Sequence, residues 1–146
     1  MNSEATPANT PKHLWGVGIL GLLWNLVGAF DYFATQTQNE AYMSQFTPEQ
    51  LEYFYGFPTW VVTFWALAVW GGVLGAILLV LRKRHAVVVL LVSLVSMVIT
   101  AFHNFLLTNG AEVMGTGGAA FTVAIFLVAV GLWRYSSAMA RRGVLA

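Results

Sequence analysis

Asp31 and His103 are the side chains on which proton chemistry in this sequence would rest, with Asn25, Asn104 and Glu112 as the nearest polar candidates. A carboxylate beside an imidazole favours the imidazolium and raises its pKa, which suits the binding of a proton or a polar solute. Both residues sit in long apolar stretches, where ionisable groups are costly and face a helix bundle or water. Asp31 follows Lys12, and His103 follows Arg84, by about 19 residues, so at about 1.5 Å per residue each lies roughly 28 Å from a basic boundary. That level is near the outer edge of a hydrocarbon core about 30 Å thick. Asn25 falls at about 20 Å, level with Ser96 and Met97.

Ser93, Ser96, Thr100, His103 and Asn104 share an arc of roughly 100°. The expectation is that the first and third apolar segments face each other. Asp31 and His103 would then meet at the outer mouth, with Asn25 deeper among the serines and Thr100, and Glu112 joining the outer cluster. Two readings stay open. In one, the cluster binds a polar solute or a proton. In the other, Asp31 is an interfacial carboxylate touching water and His103 an interface histidine with its bonds satisfied. Asp31 lies some 60° off the glycine-lined arc of its own segment, which favours the second.

Other chemistries are excluded by what the chain lacks. It has no cysteine, so disulfides, thiolate metal sites and cysteine nucleophiles do not arise. It has no phosphate-binding glycine loop, dinucleotide fingerprint, His-Glu-x-x-His or nucleophile elbow. Of the three histidines, His13 and His85 belong to the end opposite His103, so they cannot build one site. A His13–His85 pair would face repulsion from Arg82, Lys83 and Arg84 if it held a cation. No metal, cofactor or catalytic residue is expected, and the chain is read as not an enzyme.

The elements that must position these residues are membrane helices. The chain is 58% apolar and 9% charged, against roughly 45–50% and 25% in soluble proteins. A domain of 146 residues cannot hide that much apolar surface from water. Four apolar stretches, at about 14–33, 58–81, 86–107 and 115–134, have the roughly 20 residues needed to cross a bilayer. Residues 1–12 read as a polar tail, 13–136 as one four-span domain and 137–146 as a basic tail. The first stretch carries Asn25 and no evident cleavage site, so it reads as a retained helix rather than a signal peptide. Short links join antiparallel neighbours. The predicted fold is an all-α, up-down bundle of four transmembrane helices. The longest link should carry a short interfacial helix, opened by Thr47-Pro48-Glu49-Gln50 as a capping box and rich in aromatics.

All seven Lys and Arg residues fall on one side of this arrangement, led by the turn Arg82-Lys83-Arg84. Asp31, Glu40, Glu49, Glu52 and Glu112 fall on the other. Lys and Arg mark the cytoplasmic side, which predicts both termini cytoplasmic. The net charge of +1 gives no reason to expect a nucleic-acid partner. The partner is the lipid bilayer, whose anionic headgroups suit the basic face. Gly21, Gly28, Gly71 and Gly75 are the expected helix-packing positions, since small residues let helices approach closely in lipid. The same positions leave room for a homo-oligomer or a larger membrane partner.

Several stretches carry a resemblance: Trp24-Asn25 with Asp31-Tyr32 and Thr35-Gln36-Thr37, Phe46-Thr47-Pro48-Glu49-Gln50, Trp70-Gly71-Gly72, His103-Asn104-Phe105, and Glu112-Val113-Met114-Gly115. Together they resemble a family of small four-span bacterial inner-membrane proteins, mostly uncharacterised and sometimes labelled "sugar transporter". The resemblance implies the fold and brings no catalytic residues. Two functions follow as expectations. One is a non-enzymatic accessory or structural membrane protein. The other is a small-solute, for instance sugar, transporter or binding protein acting from the periplasmic side as an oligomer.

Overall fold

A computed structural model describes residues 9–146. In chain order the helices are α1 (Lys12–Gln36), α2 (Glu40–Met43), α3 (Pro48–Tyr55), α4 (Thr59–Val80), α5 (His85–Phe102) and α6 (Gly110–Arg141). One π-helical turn, His103–Leu107, continues α5. Helices α1, α4, α5 with its π turn, and α6 are long and apolar enough to cross a membrane. They form the all-helical bundle expected. Pro11 and Pro58 stand in extended backbone just before α1 and α4, where the missing N–H costs no helical hydrogen bond.

The order of neighbours differs from the expectation. Helix α4 packs against both α1 and α5, and α6 leans chiefly on α5. The first and third spans therefore do not face each other, because α4 lies between them. The reason is a small-residue surface on two sides of α4. Toward α1, a Cβ on Gly72 would fall 2.0 Å from Asn25 Oδ1. Toward α5, a Cβ on Gly71 would sit 3.2 Å from Ser93 Cβ, and one on Gly75 would sit 2.5 Å from Leu90 Cδ2. Lipid supplies no hydrophobic drive between helices, so the helix that lets two neighbours come close takes the middle. Gly21 admits Leu132 of α6, whereas Gly28 makes only an ordinary contact with Val69.

Helix α6 is broken near its start. Gly115 adopts φ 72°, ψ −174°, a conformation essentially confined to glycine. The expected fourth span begins at this break. At its other end α6 runs past Arg134 to Arg141, so the first half of the stretch read as a basic tail, 137–141, is helix. Leu132, Ser136 and Met139 recur at helical spacing and are buried. After Arg141 the chain reverses at Gly143 (φ 75°). Val144 and Leu145 then enter a core with Leu14, Leu79, Ala86, Leu90, Leu132 and Met139. The Ala146 N–H donates to the Arg82 carbonyl at 2.9 Å, and the Arg84 N–H donates to the Ala146 carbonyl at 3.0 Å. The hydrophobic core cluster thus lies beneath the Arg82–Arg84 turn.

Candidate functional site

Asp31, His103, Asn104 and Glu112 lie toward the end opposite that turn, whereas Asn25 sits in the middle of α1. Helix α3 is positioned by the expected capping box. Thr47 Oγ1 accepts from the Gln50 N–H, and Gln50 Oε1 accepts from the Thr47 N–H, each at 3.1 Å. Held this way, Gln50 also donates through Nε2 to the Val113 carbonyl at the start of α6, at 3.2 Å. One turn on, the Tyr53 hydroxyl reaches Asn104 Oδ1 at 3.2 Å and Thr108 Oγ1 at 2.7 Å. The link helix is therefore fastened to the outer ends of α5 and α6.

The π turn presents the other half of this network. His103 Nδ1 lies 2.9 Å from Asn104 Oδ1. Since that oxygen only accepts, the bond places a proton on Nδ1. Thr108 Oγ1 donates to the His103 and Asn104 carbonyls at 3.1 and 3.2 Å, closing a turn whose wider winding disrupts the regular ladder. Gly110 seals the junction: a Cβ there would lie 2.4 Å from the Asn104 carbonyl oxygen and 2.6 Å from the Tyr53 hydroxyl. His103 is buried, with the edges of Phe57 and Trp60 at centroid distances of 5.7 and 5.4 Å.

Asp31 is engaged elsewhere. The Tyr42 hydroxyl donates to Asp31 Oδ1, tying α2 to α1. Burial pushes the Tyr42 phenol well above its usual range, and the Asp31 hydrogen bond and charge add to the rise. Burial also raises Tyr53, offset in part by its bond with Thr108. Rings continue between the two polar groups: Tyr42 meets Phe46, Phe46 meets Phe54, and Tyr53 meets Phe57.

Of the five polar candidates, only His103 and Asn104 are brought together. Asp31 takes Tyr42 as its partner rather than His103. Asn25 donates to the Gly21 carbonyl of its own helix at 2.7 Å and is separated from Ser96 by α4. Glu112 is exposed in the first turn of α6, where the helix dipole favours a carboxylate. Ser93 bonds across to the Ala68 carbonyl at 2.6 Å, whereas Thr100 bonds one turn back to Ser96 at 2.9 Å. Tyr42, Tyr53 and Thr108 complete the clusters and were not among the expected residues. The Thr47 capping box marks where α3 begins, but being local it does not say that Tyr53 turns toward Asn104. Among the described residues no three His, Asp or Glu side chains converge to hold a metal. Among the described residues, apolar grooves open on the surface between α5 and α6 and between α1 and α6.

An all-helical bundle with four apolar spans and a fastened aromatic cap defines a multi-pass membrane protein. No family model, curated protein or solved structure matches the chain.

Proposed function

We propose that the chain is a non-enzymatic accessory or structural component of a bacterial inner membrane, with both termini on the cytoplasmic side. The observation that carries this reading is the use made of the outer polar residues. Tyr53, His103, Asn104 and Thr108 bond to one another, and Asp31 bonds to Tyr42. A solute site needs polar groups turned toward a passage; here they clasp the link helix to the spans. The product of that clasp is a rigid aromatic cap, a surface suited to a larger membrane partner. Orientation is supported by Lys12, Arg82, Lys83, Arg84, Arg134, Arg141 and Arg142, which gather at one end, with the described acids at the other.

Reconstituted vesicles test the reading. The protein should give no saturable uptake of sugars above protein-free vesicles, while His103→Ala and Asn104→Ala lower its melting temperature. Saturable uptake abolished by either substitution in a still-folded protein would establish the small-solute function instead.

A further inference from the structure

The break in α6 at Gly115 is not forced by crowding. Its φ of 72° and ψ of −174° are essentially confined to glycine, yet a Cβ built there meets nothing within 4 Å. The backbone conformation, not the space around it, demands glycine. A helical bond from residue i+4 back to residue i closes only if the residues between them are helical. The bonds to the carbonyls of Glu112, Val113 and Met114 all enclose Gly115, so the break removes them. One of these carbonyls has a substitute donor: Gln50 Nε2 of α3 reaches Val113 at 3.2 Å. The same side chain accepts from the Thr47 N–H through Oε1, so it caps its own helix and fills the gap in α6 at once. Met114 and Gly118 carry a second mark of the break. Met114 Cβ lies 2.6 Å from where a Cβ on Gly118 would stand, against about 5–6 Å between Cβ atoms at this spacing in a regular helix. A straight α6 would need neither glycine.

We propose that α6 has two states coupled to α3: with α3 docked it is broken at Gly115, and when α3 lifts it closes into one straight helix. Each state satisfies the backbone in its own way. In the broken state Gln50 takes the Val113 carbonyl; in the straight state the Gly117 N–H takes it. Residues 110–114 belong with the aromatic cap, because Gly110 is pressed against the Asn104 carbonyl and the Tyr53 hydroxyl. The far end of α6 is held in the core by Leu132 and Met139. Straightening therefore draws residues 110–114 away from Tyr53 and Asn104 and leaves the core in place. The stretch between the two ends has room for this. Its most apolar part buries no residue fully, whereas α4 buries 33% of its own, and apolar grooves flank it toward α5 and α1. A change at the cap is thus carried into the fourth span by one side chain that serves two helices. The coupling holds whether the cap meets a partner protein or a solute.

The chain has no cysteine, so spin labels attach only where a cysteine is introduced. Electron–electron distance measurements in detergent on Glu112→Cys with Leu127→Cys read the helix across the break. The same measurement on Glu52→Cys with Glu112→Cys reads the cap, and these positions are exposed. Gly115→Ala cannot follow the broken backbone and favours helix. It should move the first pair from its wild-type distance to about 22 Å, the rise of a straight helix over that interval, and lengthen the second. Gly118→Ala should shift both pairs the same way, whereas Gly117→Ala, with open space around it, should leave both at the wild-type distances. Gln50→Glu keeps the capping box but removes the donor to Val113. Added to Gly118→Ala, it should raise the ratio of straight to broken helix roughly fivefold, the share of one hydrogen bond. If Gly115→Ala fails to fold, Gly118→Ala decides on the same distances. Wild-type distances in the folded variants overturn the proposal. So does a shift of the first pair with the second unmoved, or a ratio indifferent to Gln50→Glu.

Discussion

At the basic end the chain packs apolar side chains beneath exposed cations, whereas at the aromatic end it ties polar side chains to one another beneath a layer of rings. Leu14, Leu79 and Leu145 are essentially sealed under Arg82, Lys83 and Arg84, which remain exposed. At the other end α3 buries no residue fully, and its hold on the bundle comes from Gln50 and Tyr53. The difference teaches where each kind of substitution should hurt. Volume matters at the basic end; hydrogen-bond partners and close backbone approach matter at the aromatic end.

The largest expected effect is therefore at the basic end. Leu145→Ala removes a buried side chain from the core and should destabilise the protein by about 2–4 kcal/mol, measured by thermal unfolding in detergent. A shift below about 0.5 kcal/mol would show that the returning chain end contributes no packing. At the aromatic end Gly110→Ala drives a Cβ toward the Asn104 carbonyl and the Tyr53 hydroxyl, and should cost about 1–3 kcal/mol. Gly117→Ala, with open space around it, should be neutral or stabilising by up to about 1 kcal/mol. Equal effects of the two alanines would remove the distinction between a crowded glycine and a free one.

A smaller effect is expected from Tyr42. Its pKa is raised in the folded protein, so folding binds the phenolic proton more tightly than the unfolded chain does. The contribution is then fully present below the unfolded value of about 10 and is lost as pH rises through the folded value. Unfolding measured from pH 8 to pH 11 should show a decline beginning near pH 10 that Tyr42→Phe flattens. An identical decline in the variant would mean that other groups govern the alkaline limb.

Much of the fold is legible in the sequence for plain physical reasons. Four apolar runs separated by polar links need no partner information, and neither does the Thr47–Gln50 capping box, because it is local. Neighbour order is not legible in the same way. The spans are apolar on every side, so periodicity does not say which face meets which helix, and Asp31 and His103 matched in depth without facing each other. What separates them is that glycines on α4 serve two neighbours at once. The π turn at His103 and the reversal at Gly143 also lie outside what local patterns convey. Each depends on a distant partner, Tyr53 in one case and the Arg82 turn in the other.

The clasp at the aromatic end is tested most directly by a double-mutant cycle on Tyr53→Phe and Asn104→Ala, read as thermal stability in detergent. If the two side chains fasten α3 to α5, their effects fall short of additive by about 0.5–1.5 kcal/mol. Additive effects, with α3 remaining docked in both single variants, would contradict the claim that these polar residues serve as a structural clasp.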